Sequence, residues 1–455
     1  MVKKNNLIAL SSLMHVILII FYFYRNIVSV GDAGSGLPIL ATFIALSFFS
    51  LILYCINNKI AVAFHFFVFL IFLFWLIFRV AIDLNSFYQL KQITIATTGG
   101  IFLFFLIGSF LRSSLDTILM SNKIIQLIIL FILIIVWSIF SSYNLRLERT
   151  DIFYISGVDG HYQRPGNFMI MLFLISSFSF LAFASNFSKY RKMKYLFHLI
   201  IYTLVAGILL ISSQMIGSNA ATANVVAIYM LTFFISILAF SKKIRRSYLD
   251  GKTQSFFSKI VWFELIKFSA IPLVVLFLII TIALKTTGFD VTKTRAFGFG
   301  TGHNSSLSSR IEILKENAVE QISYSPFFGN VNVAYLTTGN SGRALHNFLP
   351  NLWAELGLIG LAAVLILFYM VIKKLIFHKK YSQLNMIGYQ NAIINIWLIF
   401  VFLWIFIYAN IATVKSWPVI WFFIGFSVNA IVIKNKKLIE SKNFEQSPYF
   451  IKRVS

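Results

Sequence analysis

Residues 352–372 read LWAELGLIGLAAVLILFYMVI, with Glu355 the single charged side chain. A helix needs about 20 mainly apolar residues to cross a bilayer, and this run supplies them. Lys373 and Lys374 follow at once and mark one of its ends. The pattern recurs along the chain. Candidate spans fall at 7–24, 37–56, 60–82, 93–111, 124–142, 168–187, 195–213, 222–240, 260–284, 352–372, 391–409 and 416–433. Composition agrees: 59% of the 455 residues are hydrophobic, 12% are charged, and 51 are Phe. A water-soluble fold of this length could not hide that much apolar surface. A soluble enzyme, a disordered chain and a disulfide scaffold are excluded. Cys55 is the only cysteine and has no partner for an internal disulfide.

The expected architecture is an all-α membrane protein of about 12 transmembrane helices, residues 1–455 forming one polytopic domain. Lys3 and Lys4 precede the first span without a small-residue cleavage site after it, which reads as a retained helix. Placing the N-terminus in the cytoplasm puts 25 of the 39 Lys and Arg residues in cytoplasmic segments and 12 in outer ones. That asymmetry gives an N-in, C-in orientation. It also locates the formal net charge of +24, most of which is cytoplasmic. The excess reads as an orientation signal and as contact with anionic membrane lipids, with no nucleic acid implied. Residues 434–455 form a basic cytoplasmic tail. Two outer connections are long: 143–167, and 285–351 between spans nine and ten. Outer loops of such length are usually functional.

Within 285–351, SSRIEILKENAVEQI (308–322) carries Ile311, Leu314, Ala318 and Ile322 at helical spacing. Ser309 and Glu312 fit a capping box, so a helix is expected to start there with Arg310 in its first turn. A helix N-terminus with a guanidinium suits a phosphate or pyrophosphate. The alternative is an ordinary solvated arginine. SPFFGN (325–330) is a Pro-to-Gly turn. GRALHNFLPNLWAELGLIGL (342–361) then places His346 on a turn or short helix outside span ten. An imidazole there suits a general base at neutral pH, or simply an interfacial hydrogen bond. Glu355, about a turn into the span, could orient His346, pair with an arginine, or form a helix-packing ion pair.

These segments resemble the O-antigen ligase and O-antigen polymerase (Wzy-type) family. The shared pattern is an arginine in a loop helix, a P-x-x-G turn, and H-N-x-x-L ahead of E-x-G-x-x-G. Y-Q-R-P-G-N-F (162–168) is similar to a second family segment, in compressed form. Two departures stand out. Family members carry Ser-Arg after the span at 195–213, where this chain has I-S-S-Q-M with Gln214. The R-x10-G pattern of some polymerases is met by Arg146 and Arg149 in loop 143–167 but not in the late loop.

The resemblance implies a GT-C-like glycosyltransferase in the bacterial inner (cytoplasmic) membrane. It would move glycan from an undecaprenyl-pyrophosphate-linked oligosaccharide to an acceptor glycan, at the outer face and with inversion. The catalytic candidates are His346, Arg310 and Glu355; the pyrophosphate or substrate-binding candidates are Arg164, Arg343 and Arg295. Arg79, near the outer end of span three, could join them or snorkel to headgroups. No D-x-D pair is present, so no cofactor or metal is expected. A polymerase joining repeat units is the leading reading, with a possible chain-length regulator as partner. A ligase acting on a lipid A–core or protein acceptor is the rival.

A flippase or transporter is the more distant alternative. Against it, loop 57–59 is too short for a major-facilitator motif and no repeat symmetry is visible. His15, His65 and His198 read as packing residues inside spans. Trp417 and Trp421 read as interfacial anchors.

Overall fold

A computed structural model describes residues 59–83, 98–109, 111–112, 163–187, 192–215, 218–240, 306–338, 342–377, 386–428 and 431–434, with a few isolated positions between 274 and 281. Spans 7–24, 37–56 and 124–142, most of 260–284, the loop before 163 and the tail beyond 434 lie outside the described residues. So do Arg295 and His15.

The described chain is helical apart from one strand pair. In chain order the elements are β1 (Lys59–Val62), α1 (Phe64–Asp83), α2 (Thr98–Ser109), α3 (Gln163–Phe187), α4 (Lys192–Met215) and α5 (Asn219–Phe240). There follow α6 (Ser306–Tyr324), α7 (Val333–Thr337), α8 (Phe348–Phe377), α9 (Met386–Ala412), α10 (Pro418–Val428) and β2 (Ile431–Lys434). Among the described residues, five helices are long and apolar enough to cross a membrane: α1, α4, α5, α8 and α9. The expected span at 416–433 is not one continuous helix. Its helix stops at Val428, and Ile431–Lys434 pairs antiparallel with Lys59–Val62. The β-branched run Ile431, Val432 and Ile433 suits a strand once a partner edge is available.

The helices pack into one core. α3 lies against α4, α5 and α9, while α8 lies against α1, α9 and α10. Phenylalanine supplies much of the contact: Phe69 stacks on Phe105 with centroids 3.8 Å apart, and Phe72 on Trp421 at 4.9 Å. Hydroxyls and indoles inside the bundle are paired across helices, as Ser177 with Tyr202 (2.7 Å), Thr203 with Tyr229 (2.9 Å), and Trp397 donating to Thr232 (2.8 Å). Each such pair removes a polar group that an apolar surround would penalise. His198 stacks on Phe183, centroids 3.5 Å apart.

Within the runs α3–α4–α5 and α8–α9–α10 successive helices run in opposite directions, so helix ends collect into two sets. One end gathers β1, β2 and the end of α8, where Lys374 donates to the Val428 carbonyl. The other gathers the end of α1, the start of α3, the α4–α5 connection, loop 325–347 and the α9–α10 turn. Contacts described below tie these together.

In the late loop, SPFFGN (325–330) lies between α1 and α8. There α8 is broken at Gly357, whose φ of 65° and ψ of −171° are open essentially to glycine alone. The break frees amides on one side and carbonyls on the other. Leu358 N–H donates to Pro326 O (2.9 Å), Ile359 N–H to Phe327 O (3.4 Å), and Asn330 N–H to Ala354 O (3.1 Å). Gly329, with φ of 70°, approaches Gly357 so closely that a Cβ on either would strike the other strand's backbone well inside 3.0 Å. The P-x-x-G turn and the E-x-G segment are two halves of one interlock.

Candidate functional site

α6 starts at Ser306, three residues before the expected cap, so Arg310 is its fifth residue. The buried stripe also differs by one position: Ile313, Leu314, Ala318 and Ile322 pack against Val333, Leu345 and Ala354, while Ile311 is exposed. This packing fixes α6 against the start of α8. Gln321 Nε2 donates to the Arg343 carbonyl (2.9 Å) and holds the strand that follows. His346 then sits between two anchored neighbours. Leu345 is fully buried, and Asn347 Nδ2 donates to Asn410 O on α9 (2.7 Å). α8 begins two residues later, and Pro350 falls in its first turn, where its missing N–H is no loss.

His346 is half-buried. Burial, and then the Arg310 guanidinium nearby, hold its imidazole below the usual 6.5. Both influences favour the neutral ring, the form that can accept a proton. Arg310 and His346, which sequence spacing leaves thirty-six residues apart, therefore share one electrostatic neighbourhood.

Below His346, Asn347, Asn351 and Glu355 recur every four residues and share one face of α8. That face meets the α9–α10 turn. Asn351 Nδ2 donates to Glu355 Oε1 (2.6 Å), and its Oδ1 accepts from Lys415 N–H (3.0 Å). Glu355 Oε2 pairs with the Lys415 ammonium, which burial pulls down from 10.5 to about 7. The Glu355 carboxylate at contact is the partner that an ammonium so buried requires. Glu355 thus neither orients His346 nor pairs with an arginine. Its partner is Lys415, a residue not singled out from sequence. The available signal was charge balance: Lys415 is the lone cation in the short connection between spans eleven and twelve, at the level where Glu355 needs one.

Trp421 Nε1 donates to the Lys415 carbonyl (2.7 Å), and Trp417 Nε1 to Asn167 Oδ1 on α3 (2.8 Å). Both indoles are buried, so they brace the site end of the core and are not interfacial anchors. The Trp417 bond brings the Y-Q-R-P-G-N-F segment to the same turn, with Arg164 at the second position of α3. A Cβ on Gly166 would lie 2.5 Å from Ser218 Oγ, so the start of α3 is tight against the α4–α5 connection, just after Gln214 in the last turn of α4. Arg343 is exposed.

Arg79 belongs to the scaffold. It neither snorkels to headgroups nor joins the candidate clamp: its Nη2 donates to Asp83 Oδ1 (2.6 Å) and to Gly329 O (2.6 Å). Asp83 Oδ2 in turn accepts from Val331 N–H (2.9 Å). This buried pair staples the loop to α1. Among the described residues no three His, Cys, Asp or Glu side chains gather into a metal-ligand set.

Comparison with protein-family models, curated proteins and solved structures finds no match to this chain.

Proposed function

We propose that the chain is a polytopic membrane glycosyltransferase. It moves glycan from an undecaprenyl-pyrophosphate carrier to a sugar hydroxyl at the outer face of the bacterial inner membrane, as a polymerase of surface-polysaccharide repeat units. The observation that carries this is a half-buried His346 between two anchored neighbours, held toward its neutral form by burial and then by the Arg310 guanidinium, at the end of the bundle where the late loop returns. One group accepts a proton and the other holds a polyphosphate. In the reaction, His346 takes the acceptor hydroxyl proton as that oxygen attacks the anomeric carbon. The bond from that carbon to the pyrophosphate oxygen breaks on the opposite face, inverting the centre. The leaving pyrophosphate carries the electron pair and is held by Arg310, with Arg164, Arg343 and Arg295 as further anion contacts. Arginine forks take the role that a divalent cation has elsewhere, so the reaction is metal-independent.

The GT-C-like arrangement of twelve spans, N-in and C-in, belongs to the same proposal. It is supported by the alternating directions of α3, α4 and α5 and of α8, α9 and α10. Lys192, Lys373, Lys374 and Lys434 also sit at the bundle end opposite His346, which suits a cytoplasmic face.

The test is the glycan phenotype of a null strain. A single repeat unit on the lipid A–core marks a polymerase. A bare core with long chains left on the carrier marks a ligase, and lipid-linked oligosaccharide stalled on the inner face would sink the enzyme reading in favour of a flippase. Complementation with His346→Ala is expected to leave the protein in the membrane and lower transfer by ~10²–10⁴. EDTA is expected to leave wild-type transfer intact. Near-normal polymer from the variant removes His346 from the role of base.

A further inference from the structure

The turn at 325–330 lies beside two spans, and its depth can be counted along α8. Lys373 closes the apolar run of that helix. A hydrocarbon layer about 30 Å thick takes about 20 helical residues, which reaches back from Lys373 to the neighbourhood of Trp353. At ~1.5 Å per residue, Gly357 stands roughly 24 Å from that edge, inside the layer. Phe327 and Gly329 face Gly357 directly, so they share its level.

Non-helical backbone persists at such a depth only where other groups satisfy it. The interlock supplies them. Pro326 O accepts from Leu358 N–H (2.9 Å) and Trp353 Nε1 (3.0 Å), and Phe327 O from Ile359 N–H. Gly329 N–H donates to Ser325 O (2.7 Å), Gly329 O accepts from Arg79, and Asn330 N–H donates to Ala354 O. On the α1 side, Trp75 Nε1 caps the freed Leu356 carbonyl (2.8 Å). A turn in water would need none of this.

What the turn presents outward is apolar. Phe327 and Phe328 are 63% and 55% exposed. Exposed Trp353 and Leu358 on α8 both donate to Pro326 O beside them, and on α1 Trp75 lies against Phe328 and the exposed Phe78. None of these described residues is charged, and they lie along two membrane-length helices.

We propose that residues 325–330 form a re-entrant turn embedded in the bilayer, with Phe327 and Phe328 docked among lipid acyl chains. The late loop is thereby anchored at both of its functional parts: the interlock sits in hydrocarbon, and α6 with Arg310 rises from it to the surface. This holds whatever reaction the site performs.

The experiment is spin-label accessibility in liposomes. The full chain carries Cys55→Ser and one new cysteine, Phe328→Cys, labelled with a nitroxide. Collision with oxygen and with a water-soluble nickel chelate is then compared. Phe74→Cys on α1 is the hydrocarbon reference, and Val319→Cys, at a position 78% exposed on α6, is the aqueous one. Phe328→Cys is expected to match Phe74→Cys, oxygen-accessible and several-fold poorer in nickel collisions than Val319→Cys. Nickel accessibility equal to Val319→Cys overturns the proposal, because the turn is then in water. Low accessibility to both reagents overturns it equally, because protein then covers the face. If Phe328→Cys does not assemble, the more exposed Phe327→Cys carries the label under the same criteria.

Discussion

His346 is held by what flanks it, so its surroundings have a fixed sign. Burial and the Arg310 guanidinium both favour the neutral imidazole and hold the group below 6.5. A base is active when neutral, and protonation shuts it off. The acid limb of a pH–rate profile therefore lies below 6.5, and transfer is expected to be flat from there toward neutrality. Arg310→Gln removes the positive charge but leaves the burial. Protonation of His346 becomes easier, and the limb moves to higher pH. Arg310→Lys keeps a cation but loses the planar fork, so transfer falls while the limb moves less. Profiles measured in proteoliposomes with a lipid-pyrophosphate donor separate the two effects. An unmoved limb in Arg310→Gln means that Arg310 does not act on His346. At this scale the sequence was partly legible. Arg310 and His346 stand out because few cationic groups fall next to an outer membrane boundary. Lys415 did not stand out, because a lone lysine in a short connection has no local signature. Only the burial of Glu355, sixty residues earlier in the chain, makes a cation there necessary.

Two motifs that look independent along the chain are one element in space. The Pro-to-Gly turn read as a loop and E-L-G-L-I-G read as the start of a span, and each was assigned correctly by its own local rules. Their union was not legible, because what joins them is a set of backbone hydrogen bonds across a helix break. Nothing in a single run of residues announces that a helix will open to receive another segment. Gly357 is the position where this can be tested. Any other residue must adopt φ of 65° with ψ of −171° and place a Cβ against the Phe327 carbonyl. Strain of this kind costs of order 1–3 kcal/mol before the clash is counted. Gly357→Ala is expected to lose at least about 2 kcal/mol, read as a clear fall in melting temperature of the detergent-solubilised protein. Leu358→Ala, next along the chain and partly exposed, should shift it little. A Gly357→Ala protein that melts with the wild type would mean that the interlock does not hold the loop. The small offsets elsewhere have simple causes. α6 begins three residues early because the run Ser305, Ser306, Ser308 and Ser309 offers several capping hydroxyls besides the one S-x-x-E match, and Ile313 replaces Ile311 because both lie within a turn of Leu314.

At the scale of the molecule, the bilayer is why so much could be read. A span must satisfy its own backbone and present apolar side chains, so the solvent imposes a pattern that composition alone exposes. Eight of the twelve expected spans coincide with described helices, five of them full membrane length. The exceptions at the end of the last span and at the start of span three, where 60–62 lie in β1, show the limit of that signal. Ile431, Val432 and Ile433 are as apolar as any helix interior, and hydropathy cannot tell a buried helix end from a strand with a partner. Orientation rests on a different signal, the distribution of Lys and Arg, and it makes a prediction about both ends of the bundle. The His346 end and α6 should face outward, and the Lys373 and Lys374 end with the basic tail should face the cytoplasm. In a Cys55→Ser background, Glu316→Cys on the exposed side of α6 is expected to react with a membrane-impermeant maleimide on intact spheroplasts. Ser441→Cys in the tail should react only after permeabilisation. Labelling of Ser441→Cys from outside would invert the chain. An inverted chain would place His346 and Arg310 in the cytoplasm, where an outer-face transfer of glycan has no substrate, so the same measurement bears on topology and reaction together.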